Sequence, residues 1–196
     1  MKTLKEQLET YSHQYLSIGI TQDGSRRNSI SVPWNRTASA YNMKTPDIYM
    51  TEADLHDPEI RALLSRYHIN GFYTFCPMED YSILEEFTEV WDLFILHGQN
   101  LHDLSFLLKM PQLFMLYVQD AHLPDLDPLF RVKPDAISFY SRCVGFGGCT
   151  IGDVSRLEEL DERLSELVVF CPEGSNERSR WEKARTLDFT YYEYRV

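Results

Sequence analysis

The stretch from Trp91 to Pro134 repeats itself, and no other feature limits the accessible folds as much. Its halves, WDLFILHGQNLHDLSFLLKMPQ and LFMLYVQDAHLPDLDPLFRVKP, superimpose at a spacing of 22 residues (116 − 94 = 22). Phe94 falls on Leu116, Leu96 on Val118, Leu101 on Leu123, Leu104 on Leu126 and Leu107 on Leu129. A period of roughly 20 to 29 residues marks a chain whose repeats are each too thin to bury an apolar face alone, so that each leans on its neighbours. Each half opens with an apolar run of strand length. It turns at Gly98-Gln99-Asn100 or at Gln119-Asp120-Ala121, then continues with leucines three apart, a helical spacing.

The pattern resembles the leucine-rich repeat family, whose motif is L-x-x-L-x-L-x-x-N-x-L. Phe94, Leu96, Gln99 and Leu101 follow it in one copy; Leu113, Leu116, Val118, Ala121 and Leu123 follow it in the next. Trp91 replaces the first leucine, and Gln99 and Ala121 replace the asparagine. The resemblance implies an α/β fold: a short right-handed strand–helix solenoid with one parallel sheet and helices on its other side. It also implies protein binding through the strand face, without catalysis.

The same unit is legible on either side. Asp47 to Met50 reads as a strand, and Asp57-Pro58-Glu59 as a helix start, since proline at the first helical position loses no needed N–H and aspartate can cap. Ile60, Leu63, Leu64 and Tyr67 form one helix face, strand GFYTF follows, and Tyr81–Val90 reads as the next helix. DAISFYSRC opens a later unit, with VGFGGCTIGD as a glycine-rich insertion. Val154 against Leu126 makes that unit longer, at 28 residues (154 − 126 = 28). Phe170-Cys171-Pro172 echoes Phe75-Cys76-Pro77. Residues 47–196 thus hold about six strand–helix units. Residues 1–46 read as an N-terminal cap, with a helix over about 3–16 and a hairpin pairing Ile18 and Ile20 with Ile30 and Val32.

The formal net charge of −11 argues against nucleic acid or an anionic membrane as partner, because phosphate contacts need clustered Lys and Arg. It favours a basic protein partner, attracted by long-range steering, or simply solubility. No run of eighteen apolar residues predicts a membrane span. The charged start MKTLKEQLETYSHQYL has no apolar run of signal-peptide type, so a cytoplasmic location is expected.

Chemistry-bearing residues form no known catalytic motif. His97, His102, Asp103, Asp120, His122 and Asp125 come near one another by one-repeat stacking, but they match no metal-ligand spacing. Asp103 and Asp125 suit helix starts better. The four cysteines read as free thiols in a reducing compartment. GFGG at 145–148 lacks both phosphate-loop spacings. No cofactor, no metal and no catalytic group are expected.

The strand face is more telling, because alternate residues point away from the helices. The expected partner-binding set is Tyr73, Phe75, Ile95, His97, Met115, Tyr117, Gln119, Val168 and Phe170. An apolar face of this kind is either a partner surface or a self-covered core. The sequence therefore points to a protein-binding module, with an inhibitor or immunity protein for a basic toxin or nuclease as one variant. A hydrolase built on the glycine-rich insertion at 143–152 is a second class, and a self-assembling scaffold a third.

Overall fold

The computed structural model describes residues 2–27, 31–33, 40–42, 45–131, 143–154, 156, 166–172 and 189–194. Within them, eight strands hydrogen-bond into a single sheet in which every neighbouring pair runs parallel. In chain order these are β1 (Tyr15–Ile20), β4 (Ile48–Met50), β5 (His68–Thr74), β6 (Asp92–Ile95), β7 (Met115–Gln119), β9 (Cys143–Gly147), β11 (Glu166–Pro172) and β12 (Phe189–Tyr194). Two small pairs complete the set. β2 (Ser31–Pro33) with β3 (Ala40–Asn42) is antiparallel, and β8 (His122–Leu123) with β10 (Thr150–Ile151) is parallel. The sheet order is β4-β1-β5-β6-β7-β9-β11-β12. From β5 onward, each strand of this sheet lies beside the next one in the chain.

The connections carry short helices. They are α1 (Leu4–Thr10), α2 (Glu52–His56), α3 (Pro58–Leu64), α4 (Asp127–Arg131) and two 3₁₀ segments at Ser82–Glu86 and Ser105–Lys109. Local chemistry explains their starts. Thr51 caps α2 in a reciprocal box with Asp54, and Asp57 caps α3 with Pro58 behind it. The Ile60 and Glu59 N–H groups hold the Asp57 carboxyl below its ordinary value. That cap is therefore complete above the ordinary carboxylate range and fades as pH falls through the lowered value.

The core lies on the helix side of the sheet. One row across it runs Ile48, Ile18, Phe72, Leu93, Leu116, Val144 in register; the next runs Met50, Ile20, Thr74, Ile95, Val118, Phe146. All but Thr74 belong to one apolar cluster with Leu101, Leu104, Leu107, Leu123, Leu126 and Leu129 from the connections. The repeat leucines that superimpose at 22 thus share one core. Among the described residues, no helix is long and apolar enough to cross a membrane.

Four expectations need correction. Ile18 and Ile20 form no hairpin with Ile30 and Val32: both pair in parallel, Ile18 with Ile48 and Phe72, Ile20 with Met50 and Thr74. Val32 pairs with Tyr41 instead, and Ile30 lies outside the described residues. The alternation of LSIGI misleads because Ser17 and Gly19 are small rather than solvated. A side chain at Gly19 would meet Pro46 at 2.9 Å and the Tyr49 ring at 3.0 Å. Ser17 Oγ donates to the Asp47 carboxylate at 2.6 Å, tying β4 to β1.

The glycine-rich stretch read as an insertion is itself strand, at Cys143–Gly147, while 135–142 lie outside the described residues. Gly147 is needed there because an added carbon would meet Tyr117 Oη at 2.5 Å. The helices are shorter than their periodicity suggested. α1 ends at Thr10, and Tyr81–Val90 contains only the 3₁₀ segment. The 22-residue alignment also slips within the strands. Leu93, not Phe94, pairs with Leu116, an offset of 23 (116 − 93 = 23).

Two substitutions test this packing. Phe94 is fully buried between two rings, so Phe94→Ala should lower the unfolding free energy by about 3–5 kcal/mol in a denaturant titration. Thr74 is fully buried and its hydroxyl has no hydrogen-bond partner. Thr74→Val, which keeps the shape and deletes that group, should hold or raise stability, by up to about 1 kcal/mol.

Candidate functional site

The strand-face residues come first, since the sequence placed a partner there. Tyr49, Gly19, Tyr73, Phe94, Tyr117 and Gly145 form one register row on the face opposite the core, and Val168 continues it by backbone pairing. The Tyr73 and Phe94 rings stack at 5.5 Å, and Phe94 and Tyr117 lie 6.1 Å apart. These rings are 1%, 0% and 3% exposed. Met115 is buried beside them. Ile95 belongs to the opposite, core face, with Val118 and Phe146. Phe94 takes the place expected of Ile95, because a one-residue slip reverses the faces.

Three of the expected contacts sit at the strand ends and are half-buried. Phe75 lies 5.9 Å from the Tyr49 ring. The His97 carbonyl accepts a hydrogen bond from Tyr81 at 2.8 Å, and burial pushes the Tyr81 phenol up to about 12. Gln119 donates to Asp120 at 3.3 Å. Phe170 enters by its backbone pairing, with Gly147 on one side and Tyr192 on the other. Of the nine, Tyr73, Ile95, Met115 and Tyr117 are buried and offer no accessible surface.

The carboxyl ends of β1, β4 and β5 lie side by side, with β1 in the middle. The chain leaves β1 for β4 on one side and returns to β5 on the other, and such a reversal is a common ligand site in open α/β sheets. Here several polar groups satisfy one another, while the buried Thr21 and Thr74 hydroxyls have no hydrogen-bond partner. Glu52 accepts the N–H groups of Glu79 and Asp80 at 2.9 Å, and Tyr49 donates to the Arg27 carbonyl at 3.2 Å. Cys76 is half-buried, and burial, then the Glu52 carboxylate, push its thiol up. That is the reverse of an activated nucleophile. Cys149 is buried, and its thiol donates to the Val118 carbonyl at 3.3 Å. Both are free thiols. Asp103 and Asp125 accept from the backbone N–H groups of Ser105 and Asp127, each at 2.8 Å. Among the described residues, no three His, Cys, Asp or Glu side chains gather as a metal site would require.

The opposite edge of the sheet, where the strands begin, holds an open groove of about 410 Å³. Tyr15, His68, Asn70, Glu89, Trp91 and Gln112 line it. Tyr15 is 60% exposed and Trp91 56%; of the large hydrophobic side chains, only these and Leu108 are exposed among the described residues. Each position follows from the register. Tyr15 opens β1 opposite His68 of β5, their rings 5.4 Å apart. Asn70, Trp91 and Gln112 recur at 21-residue intervals just before or within successive strand starts (91 − 70 = 21; 112 − 91 = 21). Trp91 is anchored there because its N–H donates to the Asn70 carbonyl at 2.9 Å.

Polar groups hold the groove open. His68 Nδ1 meets the Glu89 carboxylate, and Gln14 meets His68 Nε2 at 2.9 Å. The Trp91 indole N–H donates to Gln112 at 3.0 Å, which fixes the ring edge and leaves its face free for contact. Sequence reasoning missed this site. It placed Tyr15 within a helix over about 3–16 and treated Trp91 as a stand-in for leucine. The equal spacing of Asn70, Trp91 and Gln112 was the available signal.

The chain matches no family model and no curated protein.

Because Tyr15, Glu89 and Trp91 are exposed or half-buried, Tyr15→Ala, Glu89→Gln and Trp91→Ala should each change unfolding free energy by less than about 1 kcal/mol. Denaturation midpoints close to that of the unmodified chain, with Phe94→Ala far below, would confirm them as clean probes of the groove.

Proposed function

We propose that the chain is a non-catalytic protein-binding module that engages its partner through the groove at the strand starts. The observation that carries this reading is the pair of exposed rings, Tyr15 and Trp91, in one groove; among the described residues the only other exposed large hydrophobic side chain is Leu108. Aromatic side chains with one polar edge dominate binding energy at protein interfaces. The scaffold we propose is a short right-handed strand–helix solenoid of leucine-rich-repeat type. Strand offsets of 21, 23, 28, 23 and 22 residues from β5 to β12 support it (93 − 72, 116 − 93, 144 − 116, 167 − 144, 189 − 167). So does the Asn100 side chain, which donates to the Met78 carbonyl 22 residues earlier at 3.0 Å, as a turn-to-turn ladder would.

The partner is a protein rather than nucleic acid, since the net charge of −11 repels phosphate and attracts basic surfaces. That charge favours one second reading, a cognate inhibitor of a basic toxin or nuclease acting in the cytoplasm. A hydrolase is the weaker alternative, because the Cys76 thiol is pushed up and Gly147 serves packing against Tyr117.

Affinity capture from the native host tests the proposal. The unmodified chain should retain a protein that Tyr15→Ala and Trp91→Ala lose by about tenfold or more, since truncating a hot-spot aromatic costs about 2 kcal/mol. Cys149→Ser and His97→Ala should retain it. Loss on the cysteine or histidine change, with the groove variants unaffected, would overturn the reading.

A further inference from the structure

The groove does not end at Trp91. Glu89 lines both it and a second recess of about 230 Å³, whose walls include Leu55, Leu64, Ile69, Ile83 and Phe87. The two cavities therefore meet at one carboxylate. They differ in chemistry. The first offers two exposed aromatic side chains, the amides of Asn70 and Gln112, and Glu89, with no Lys or Arg in its lining among the described residues. The second is apolar at its base, where Leu55, Leu64, Ile69 and Ile83 are buried. At its rim Arg61 pairs with Glu86.

From this juxtaposition, and resting on the reading of the groove as the partner's contact, we infer that the site recognises a cationic side chain flanked by an apolar one. The occupant is a segment of a basic protein that presents an arginine between Tyr15 and Trp91, within reach of Glu89. A neighbouring aliphatic side chain enters the recess under Phe87. Three physical terms favour arginine. The faces of tyrosine and tryptophan attract a cation, and a guanidinium also stacks on them as a flat group. Tyr15 and Trp91 stand on strand positions two apart, which sets their backbones roughly 10 Å from each other, with His68 and Asn70 on the strand between. The carboxylate count favours a cation. Across both linings two carboxylates, Glu86 and Glu89, face one guanidinium, Arg61, and Glu89 also meets His68 Nδ1. A neutral sugar would also find rings, amides and a carboxylate acceptor here, but it would gain nothing from the aliphatic recess.

The probe is a capped tripeptide, leucine-arginine-leucine, titrated into the full chain while the Trp91 indole cross-peak is followed by NMR, assigned with Trp91→Phe. Saturable movement of that peak is expected. Replacing arginine by citrulline, which keeps the shape and removes the charge, should weaken binding about tenfold. Glu89→Gln should weaken it about fivefold, and Tyr15→Ala by a similar factor, with Leu64 and Ile83 methyl signals moving in parallel. Equal binding of the citrulline peptide would overturn the inference, as would a neutral glucan oligosaccharide moving the indole peak where the tripeptide does not. If no tripeptide binds while Tyr15→Ala and Trp91→Ala still release the captured protein, the inference falls and the module reading stands. If both variants keep the captured protein, the premise fails and the inference falls with it.

Discussion

Tyr73, Phe94 and Tyr117 lie ring beside ring across three adjacent parallel strands, on the sheet face that carries no core leucines. A parallel sheet is stable only when both faces are covered, so the second face cannot be left as wet surface. Glycine makes that cover possible. Gly19 yields to Tyr49, Gly71 to the Tyr73 ring at 2.9 Å, and Gly147 to Tyr117. Each ring lies over backbone instead of standing off it. Burying such a ring contributes about 1.5–3 kcal/mol, and each ring pair about 0.5–1.5 kcal/mol more. These gains exceed the cost of roughly 0.5–1 kcal/mol for each strand glycine. The strand order depends on this arrangement, because a residue with a side chain at any of those positions would lift a ring and separate its strand from the next.

Much of the architecture was legible because its signals are short-range. Asp57-Pro58 marks a helix start by chemistry that acts within one turn. The leucines from Leu101 to Leu129 mark a shared core because their spacing survives from repeat to repeat. What was not legible depended on register. The connections keep a period of 22 while the strands β6 and β7 pair at 23. Ile95 to Leu101 takes six steps and Val118 to Leu123 takes five (101 − 95 = 6; 123 − 118 = 5). The second copy makes its turn with one residue fewer, and Asp120 adopts a left-handed φ of 59° to do so. Nothing in the hydrophobic pattern announces that change, yet it moves Ile95 to the core and Phe94 to the aromatic row. Serine and glycine in β1 misled for a related reason, since small residues and solvated ones look alike in an apolar–polar alternation.

The same burial moves any partner away from the strand face. A ring at 1% exposure offers nothing to bind, however well its type suits an interface. The strand starts differ: Trp91 is exposed there, Asn70 and Gln112 are half-buried, and the Trp91 indole N–H donates to Gln112 along the edge. Aromatic burial along the sheet and aromatic exposure at its edge are thus two results of one register.

Magnitudes then decide what such an edge can do. A cation over an exposed ring is worth about 0.5–1 kcal/mol, and an exposed ion pair with Glu89 about 0–1 kcal/mol. Two rings and one carboxylate together reach roughly 3 kcal/mol, far short of the 8 kcal/mol or so that a micromolar complex needs. The aromatic groove alone would select rather than hold. A buried leucine-sized side chain in the adjoining recess adds about 1.5–3 kcal/mol, and the remaining affinity must come from surface beyond both cavities. The net charge of −11 contributes chiefly to the rate of encounter, and its effect weakens as salt screens it over about 8 Å at physiological ionic strength. On the proposed reading the partner would be a folded basic protein with one arginine-bearing segment proud of its surface, because a free short peptide would satisfy the groove and still dissociate.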